Sequence, residues 1–124
     1  MAQHNNTLST QKLNDLQTKI WNRVVMEEQF RNPDYSARQL ATDLGTNTRY
    51  ISETLQLRFG KSFPAFVNQW RVEAAARLIA SKQGENLTFD AVARMVGFAN
   101  RQTLHTAFVR QMGCSPKAYR DAQK

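Results

Sequence analysis

Hydrophobic residues recur along this chain at steps of three and four, and glycines punctuate the runs. Leu13, Leu16, Ile20 and Val24 form one helical stripe, with Trp21 and Val25 widening it. The pattern predicts a helix from a cap at Thr10 or Ser9 to about Phe30, ended by Asn32-Pro33-Asp34, since Pro33 lacks an N–H and restricts its predecessor. Ser36 then caps a short helix, Ala37 to Leu44, and Gly45-Thr46-Asn47 turns the chain. Thr48 or Asn47 opens a helix from Arg49 to Phe59, with Ile51, Leu55 and Phe59 inward and Gly60 as its stop. Ser62 caps a long helix from Pro64 to about Lys82, carrying Phe66, Val67, Trp70, Ala74 and Leu78. After a loop from Gln83 to Leu87, Thr88 caps Phe89 to Val96, and Gly97-Phe98-Ala99 turns. Asn100 opens Arg101 to Met112 with Leu104, Phe108 and Met112 inward, Gly113 stops it, and Ser115-Pro116 start a last helix through Tyr119. Phe63, Phe66, Trp70, Phe98 and Tyr119 fall at core spacing, and no stretch has the alternation of a strand.

The chain repeats itself. Ser36, Leu40, Ala41, Leu44 and Gly45 match Thr88, Val92, Ala93, Val96 and Gly97; after the turn, Ile51, Leu55, Gly60, Ser62 and Phe66 match Leu104, Phe108, Gly113, Ser115 and Tyr119. Each unit is a cap, a short helix, a glycine turn, a second helix and a glycine stop. The alanines suit a close helix crossing and the glycines a sharp turn, which is the pattern of a helix-turn-helix whose second helix enters the major groove. The expected fold is all-α: two tandem helix-turn-helix subdomains joined by a long central helix, with an extra N-terminal amphipathic helix. Its expected parts are a disordered lead-in (1–9), the N-terminal helix (10–32), the first subdomain (33–62), the connecting helix (63–83) and the second subdomain (84–124). The connecting helix Pro64 to Lys82 is roughly 28 Å long at about 1.5 Å per residue, close to the spacing of about 34 Å between successive major grooves on one face of DNA.

Charge singles out the same half of the chain. The 124 residues carry a net charge of +7, with 17 Lys and Arg against 10 Asp and Glu. Five bases and five acids cancel up to Thr48, so the whole excess lies from Arg49 onward. A basic surface of this kind fits a polyanionic partner, most simply nucleic acid. Cys114 is the only cysteine, which excludes a disulfide framework and a cysteine zinc site. No apolar run approaches a membrane helix, and MAQHNNTLST has no apolar signal region, so no membrane contact is expected.

Gly97-Phe98, Leu104, Phe108, Gly113, Ser115-Pro116 and Tyr119-Arg120 resemble the signature of the AraC-type (AraC/XylS) transcription regulators, in their DNA-binding domain. Leu40-Ala41, Leu44-Gly45, Phe59-Gly60, Phe66, Arg71, Ala75 and Leu78-Ile79 are similar to the first unit and linker of that family. Leu104 stands where the family commonly has an aromatic, and Cys114 occupies a variable position. The resemblance covers Phe30 to Arg120. It implies sequence-specific binding of double-stranded DNA, control of transcription, contact with RNA polymerase, and location in the cytoplasm, on the nucleoid when DNA is bound. Family members mostly carry a separate sensing or dimerisation domain, for which this chain has no room. Either the chain is a C-terminal fragment of a longer regulator, with Leu13 to Phe30 as the link and a homodimer formed through the absent domain, or it belongs to the smaller stand-alone type; the first is the expectation.

The recognition helices offer their solvent faces for contact. Family base-contacting positions, carried over by the inward residues, fall on Arg49, Ser52 and Glu53, then on Arg101, Gln102, Thr103 and Thr106. Arg suits guanine through two parallel hydrogen bonds and Gln suits adenine. For Arg49 and Arg101 the tandem motif favours base or phosphate contact, with solvated surface charge as the alternative. Glu53 admits three roles: accepting from cytosine, orienting Arg49, or repelling phosphate. Tyr50, Gln56 and His105 flank these positions at the groove edge. Ser62 and Ser115 begin equivalent helices beside Lys61 and Lys117, where free backbone N–H groups can hold phosphate; plain capping is the alternative. Arg71 fits bracing better than phosphate contact, and Arg120 fits either.

The residues point away from an enzyme. No phosphate-binding glycine loop, carboxylate pair, metal cluster or nucleophile–base arrangement is present, so no cofactor and no metal is expected, and Cys114 reads as structural. The competing function is a helical protein-interaction module that uses the N-terminal helix as its surface and binds DNA only non-specifically.

Overall fold

The computed structural model describes residues 8–123, so the expected lead-in lies outside the described residues up to Thr7. The elements are α1 (Thr10–Ile20), α2 (Ala37–Leu44), α3 (Thr48–Phe59), α4 (Phe63–Ala80), α5 (Phe89–Val96), α6 (Arg101–Met112) and α7 (Pro116–Ala122). There is no strand among the described residues.

The repeat is visible in the caps. Ser36 and Thr88 accept from the N–H groups of Gln39 and Ala91 at 3.1 and 3.0 Å, opening α2 and α5. Asn47 and Asn100 do the same for Tyr50 and Thr103, both at 2.9 Å, opening α3 and α6. Gly45 (φ 68°), Gly60 (66°), Gly97 (109°) and Gly113 (79°) take the left-handed conformation after those four helices.

The chain divides into two compact units. The first comprises the residues up to Glu28 together with Tyr35–Phe66. Here α1 packs on α2 and α3. Leu16, Ile20 and Val24 are buried, so the apolar face that a docking module would need lies inside the unit. Trp21 stacks on Phe59 at 6.4 Å, Phe59 tilts against Phe66 at 4.8 Å, and Arg58 donates to the Gln17 side chain at 2.6 Å. Leu8, expected in the lead-in, is only 6% exposed and stands directly before the Ser9 cap of α1.

The first helix also ends sooner than expected. After Ile20 it widens into a π-helical stretch, Trp21–Met26, in which Glu27 N–H reaches the Asn22 carbonyl at 2.8 Å. Glu28 then takes a left-handed φ of 58° and turns the chain, so Phe30 is not part of that helix.

Asp43 gathers the polar contacts of this unit. It accepts from the Tyr35 hydroxyl at 2.9 Å and from the Gln39 amide at 2.7 Å, with the Arg23 Nε at 3.4 Å. The Gln39 and Tyr35 bonds hold its carboxyl below the usual carboxylate range. Burial and the bond to Asp43 push the Tyr35 hydroxyl up. A carboxylate depressed on folding stabilises the fold above its ordinary range and loses that effect as the pH falls through and below it. Thermal melts between neutral and acid pH should therefore show the melting temperature falling in that window. Asp43→Asn should lower it by several degrees at neutral pH and flatten its decline in acid; an unchanged slope would contradict the network's role.

The second unit comprises Gln29–Asp34 and the chain from Val67 onward, including most of α4. Its core is Phe30, Val67, Val72, Ala75, Ile79, Val92, Ala93, Val96, Phe98, Leu104 and Phe108. Phe30 sits on a short 3-10 turn, Gln29–Arg31, that packs on α5. Arg31 donates to the Met95 carbonyl at 2.9 Å. The segment expected to close the N-terminal helix thus belongs to the second unit. The connecting helix stops at Ala80 instead of Lys82, where the Ser81 hydroxyl turns back to the Leu78 carbonyl at 2.7 Å. The last helix runs beyond Tyr119 to Ala122, helped by the i,i+4 pair of Lys117 and Asp121 at 3.0 Å.

Candidate nucleic-acid interface

In the first unit α3 presents an exposed face. Ile51, Leu55 and Thr54 are buried on its inner side, and Thr54 satisfies its hydroxyl on the Tyr50 carbonyl at 2.8 Å. Arg49, Ser52 and Gln56 are exposed on the outside, with Tyr50 and Glu53 half-buried beside them. Lys61 is half-buried after the Gly60 stop, and exposed Ser62 accepts from Ala65 N–H at 3.2 Å, the capping role.

In the second unit α6 is built in the same way. Leu104 and Phe108 are fully buried, with the Tyr119 ring edge-on to Phe108 at 5.6 Å. Arg101, Gln102, Thr103, His105 and Thr106 are exposed. They divide between two sides of the helix. Gln102, Thr103 and Thr106 line a groove of about 410 Å³ with Asn68 and Arg71 of α4, the Gly97–Ala99 turn and Arg110. The Gln102 amide donates to the Thr106 hydroxyl at 3.3 Å along it. Arg101 and His105 instead border a smaller apolar cavity of about 230 Å³ with Phe89, Leu104, Pro116, Ser115 and Lys117. The fold thus brings Arg101, His105, Ser115 and Lys117 to one rim.

Several polar groups are already engaged. The Thr103 hydroxyl donates to the Asn100 carbonyl at 2.8 Å and accepts from Asn100 N–H at 3.4 Å, completing a reciprocal cap with Asn100. Its single hydroxyl hydrogen is thereby engaged, which leaves the methyl group and one lone pair. Ser115 accepts from Ala118 N–H at 3.0 Å, and Lys117 pairs with Asp121.

Two arginines brace the unit. Arg71 donates through Nε to the Phe30 carbonyl at 2.6 Å and through Nη2 to the Asn32 carbonyl at 2.9 Å, with its guanidinium 5.6 Å from the Phe98 ring centre. Burial lowers its pKa. Arg120 donates to the Leu87 carbonyl at 2.8 Å and the Gly84 carbonyl at 3.3 Å, and lies 4.1 Å from the Phe89 ring centre. The bracing role therefore holds for both.

Asn68 and Arg110 were missed in the sequence, although they share the groove. Arg110 had a signal: it follows Gln102 and Thr106 at steps of four on α6, which is one helical face. Asn68 had none, since its place depends on how α4 meets α6.

This arrangement is a helix held by a buried stripe, opened by a capped turn, with arginine and amide side chains outward. A family described as a helix-turn-helix domain matches residues 40–122, more than half of the chain. The chain belongs to the AraC-type helix-turn-helix family. Its AraC-type domain is 35% identical over 57 residues to the RCS-specific HTH-type transcriptional activator RclR of Escherichia coli, which spans 46% of this chain and 19% of that protein. It is 30% identical over 103 residues to the HTH-type transcriptional regulator RipA of Corynebacterium glutamicum, over 82% of this chain and 30% of that protein. The AraC-type chain thus spans less than a third of the length of these curated relatives. Its fold matches the DNA-binding domain of AdpA, a global transcriptional factor solved in complex with a target DNA, with a TM-score of 0.71 at 24% identity, covering 89% of this chain and 90% of that one. The family and its relatives are transcription regulators, not enzymes. Among the described residues there is no group of three or more potential metal ligands, and no helix is long and apolar enough to cross a membrane.

Proposed function

We propose that this domain binds double-stranded DNA in a sequence-specific way and regulates transcription, with α3 and α6 reading bases in successive major grooves. The observation that carries the reading is the doubled, capped helix-turn-helix in a chain whose net charge lies wholly after Thr48. Arg49, Ser52 and Glu53 are the base-reading residues of α3; Arg101, Gln102, Thr106 and the Thr103 methyl are those of α6. Tyr50, Gln56, Lys61, Ser62, His105, Ser115 and Lys117 lie along the groove edge, and Arg110 extends the α6 face toward phosphate. RNA polymerase contact, dimerisation through a further domain of a longer regulator, and a place on nucleoid DNA in the cytoplasm belong to the same proposal.

Base and phosphate contacts separate in one titration series. Arg101→Ala should weaken binding to the preferred duplex by about 1–3 kcal/mol and relax preference at one base pair. Arg110→Ala should weaken all duplexes alike and reduce the salt slope by about 0.9, as expected when one phosphate contact is lost. Fluorescence anisotropy on matched and single-substituted duplexes over a salt series checks both. Unchanged affinity and preference in Arg101→Ala would remove that residue from the reading face.

A further inference from the structure

Arg101 lies over an aromatic ring. Its guanidinium carbon lies 5.3 Å from the centre of the Phe89 ring. The same ring carries the Arg120 guanidinium at 4.1 Å, and Arg120 is fixed by the Leu87 and Gly84 carbonyls. A line of contacts therefore runs from the backbone of the 84–87 turn, through Arg120 and Phe89, to a side chain on the exposed face of α6. Phe89 is itself half-buried at the start of α5, directly after the Thr88 cap, so the ring is anchored at its own backbone.

From this geometry we infer that Phe89 is a positioning residue for base readout: it holds Arg101 in one orientation before DNA arrives. The inference rests on the DNA-binding reading above. A guanidinium stacks through its flat face and donates hydrogen bonds from its edge. Contact of that kind with the Phe89 ring leaves the edge free for the two parallel acceptors of a guanine. A long exposed arginine otherwise loses rotamer freedom when it binds. Anchoring it on Phe89 moves that loss to folding and narrows the base pairs it can address. The two like charges on one ring are tolerable because the carbonyl oxygens of Gly84 and Leu87 offset the positive charge of Arg120.

The test uses the full chain and three substitutions, Phe89→Leu, Phe89→Tyr and Arg101→Ala, with the Phe89→Leu/Arg101→Ala double variant. Competition binding against all four bases at each position reads the preference. Phe89→Leu should reduce preference three- to ten-fold at the same base pair that Arg101→Ala relaxes, and at no other. Phe89→Tyr, which keeps the aromatic face, should retain it. Phe89→Leu should add nothing to that preference in the Arg101→Ala background. A loss spread evenly over all sequences, or an equal loss in both backgrounds, would overturn the proposal in favour of a merely structural ring. A second readout is independent of DNA. The Arg101 side-chain Hε resonance in the free protein should be shifted by the ring current, and that shift should vanish in Phe89→Leu. A resonance at the exposed-arginine position in the unsubstituted protein overturns the platform. A shifted resonance with no sequence preference in any variant overturns positioning of readout, and locates the failure in the DNA-binding reading.

Discussion

Gly97→Ala should strongly destabilise the second unit, whereas Gly45→Ala should leave the first unit folded. The two glycines are equivalents in the repeat and both have positive φ, 68° and 109°. Their surroundings differ. A Cβ on Gly45 would meet nothing within 4 Å. The cost there is the left-handed conformation alone, about 1–2 kcal/mol. A Cβ on Gly97 would collide with the Phe30 carbonyl oxygen and lie 2.8 Å from Arg71 Nε and 2.9 Å from Arg31 Cα. Relief would have to displace the turn that inserts Phe30 and the arginine that bonds to it. Strain and overpacking together are expected to cost about 3 kcal/mol or more, a large part of a small domain's stability. Hydrogen exchange resolved by residue checks this directly. Gly97→Ala should lose protection across α5 and α6, while Gly45→Ala should only lower it slightly in α2 and α3. Equal effects at both glycines would mean that Gly97 serves only its turn.

The second large effect concerns the residues before the family's matched span. A chain trimmed to residues 36–124 keeps both helix-turn-helix motifs with their caps and should nevertheless fail to melt cooperatively. The first unit would lose Leu8, Leu16, Ile20 and Val24, all buried. Burying one such side chain contributes about 1.5–3 kcal/mol, so the sum is comparable to the usual stability of a whole domain. The second unit would lose Phe30, 2% exposed, and both carbonyl acceptors of Arg71, leaving a half-buried guanidinium without those bonds. Calorimetry of the trimmed and full chains decides it. A sharp transition retained in the trimmed chain would show that the motifs suffice.

The elements were legible wherever a capping side chain stood at the edge of a helical stripe. Ser36, Thr88, Ser62 and Ser115 announce their helices because their oxygens take the first free N–H groups. What escaped depends on long-range packing. Phe30 comes before the Pro33 stop with no glycine or proline between it and the first helix, yet a left-handed Glu28 sends it into the second unit. The cap that engages Thr103 has threonine in place of the usual acid or amide, so its exposed position on α6 suggested only base contact. The outward residues of α6 were legible, since burial of Leu104 and Phe108 fixes which face is left exposed. Their division between groove and apolar cavity was not, because it depends on α4 and α7.

The central claim is that two recognition helices read sequence. Selection of binding sites from random duplexes of about 30 base pairs, at near-physiological salt, tests it most directly. Two enriched boxes with centres about one helical turn, or 10–10.5 base pairs, apart are the predicted result. Binding that falls steeply with salt and enriches no motif would contradict it.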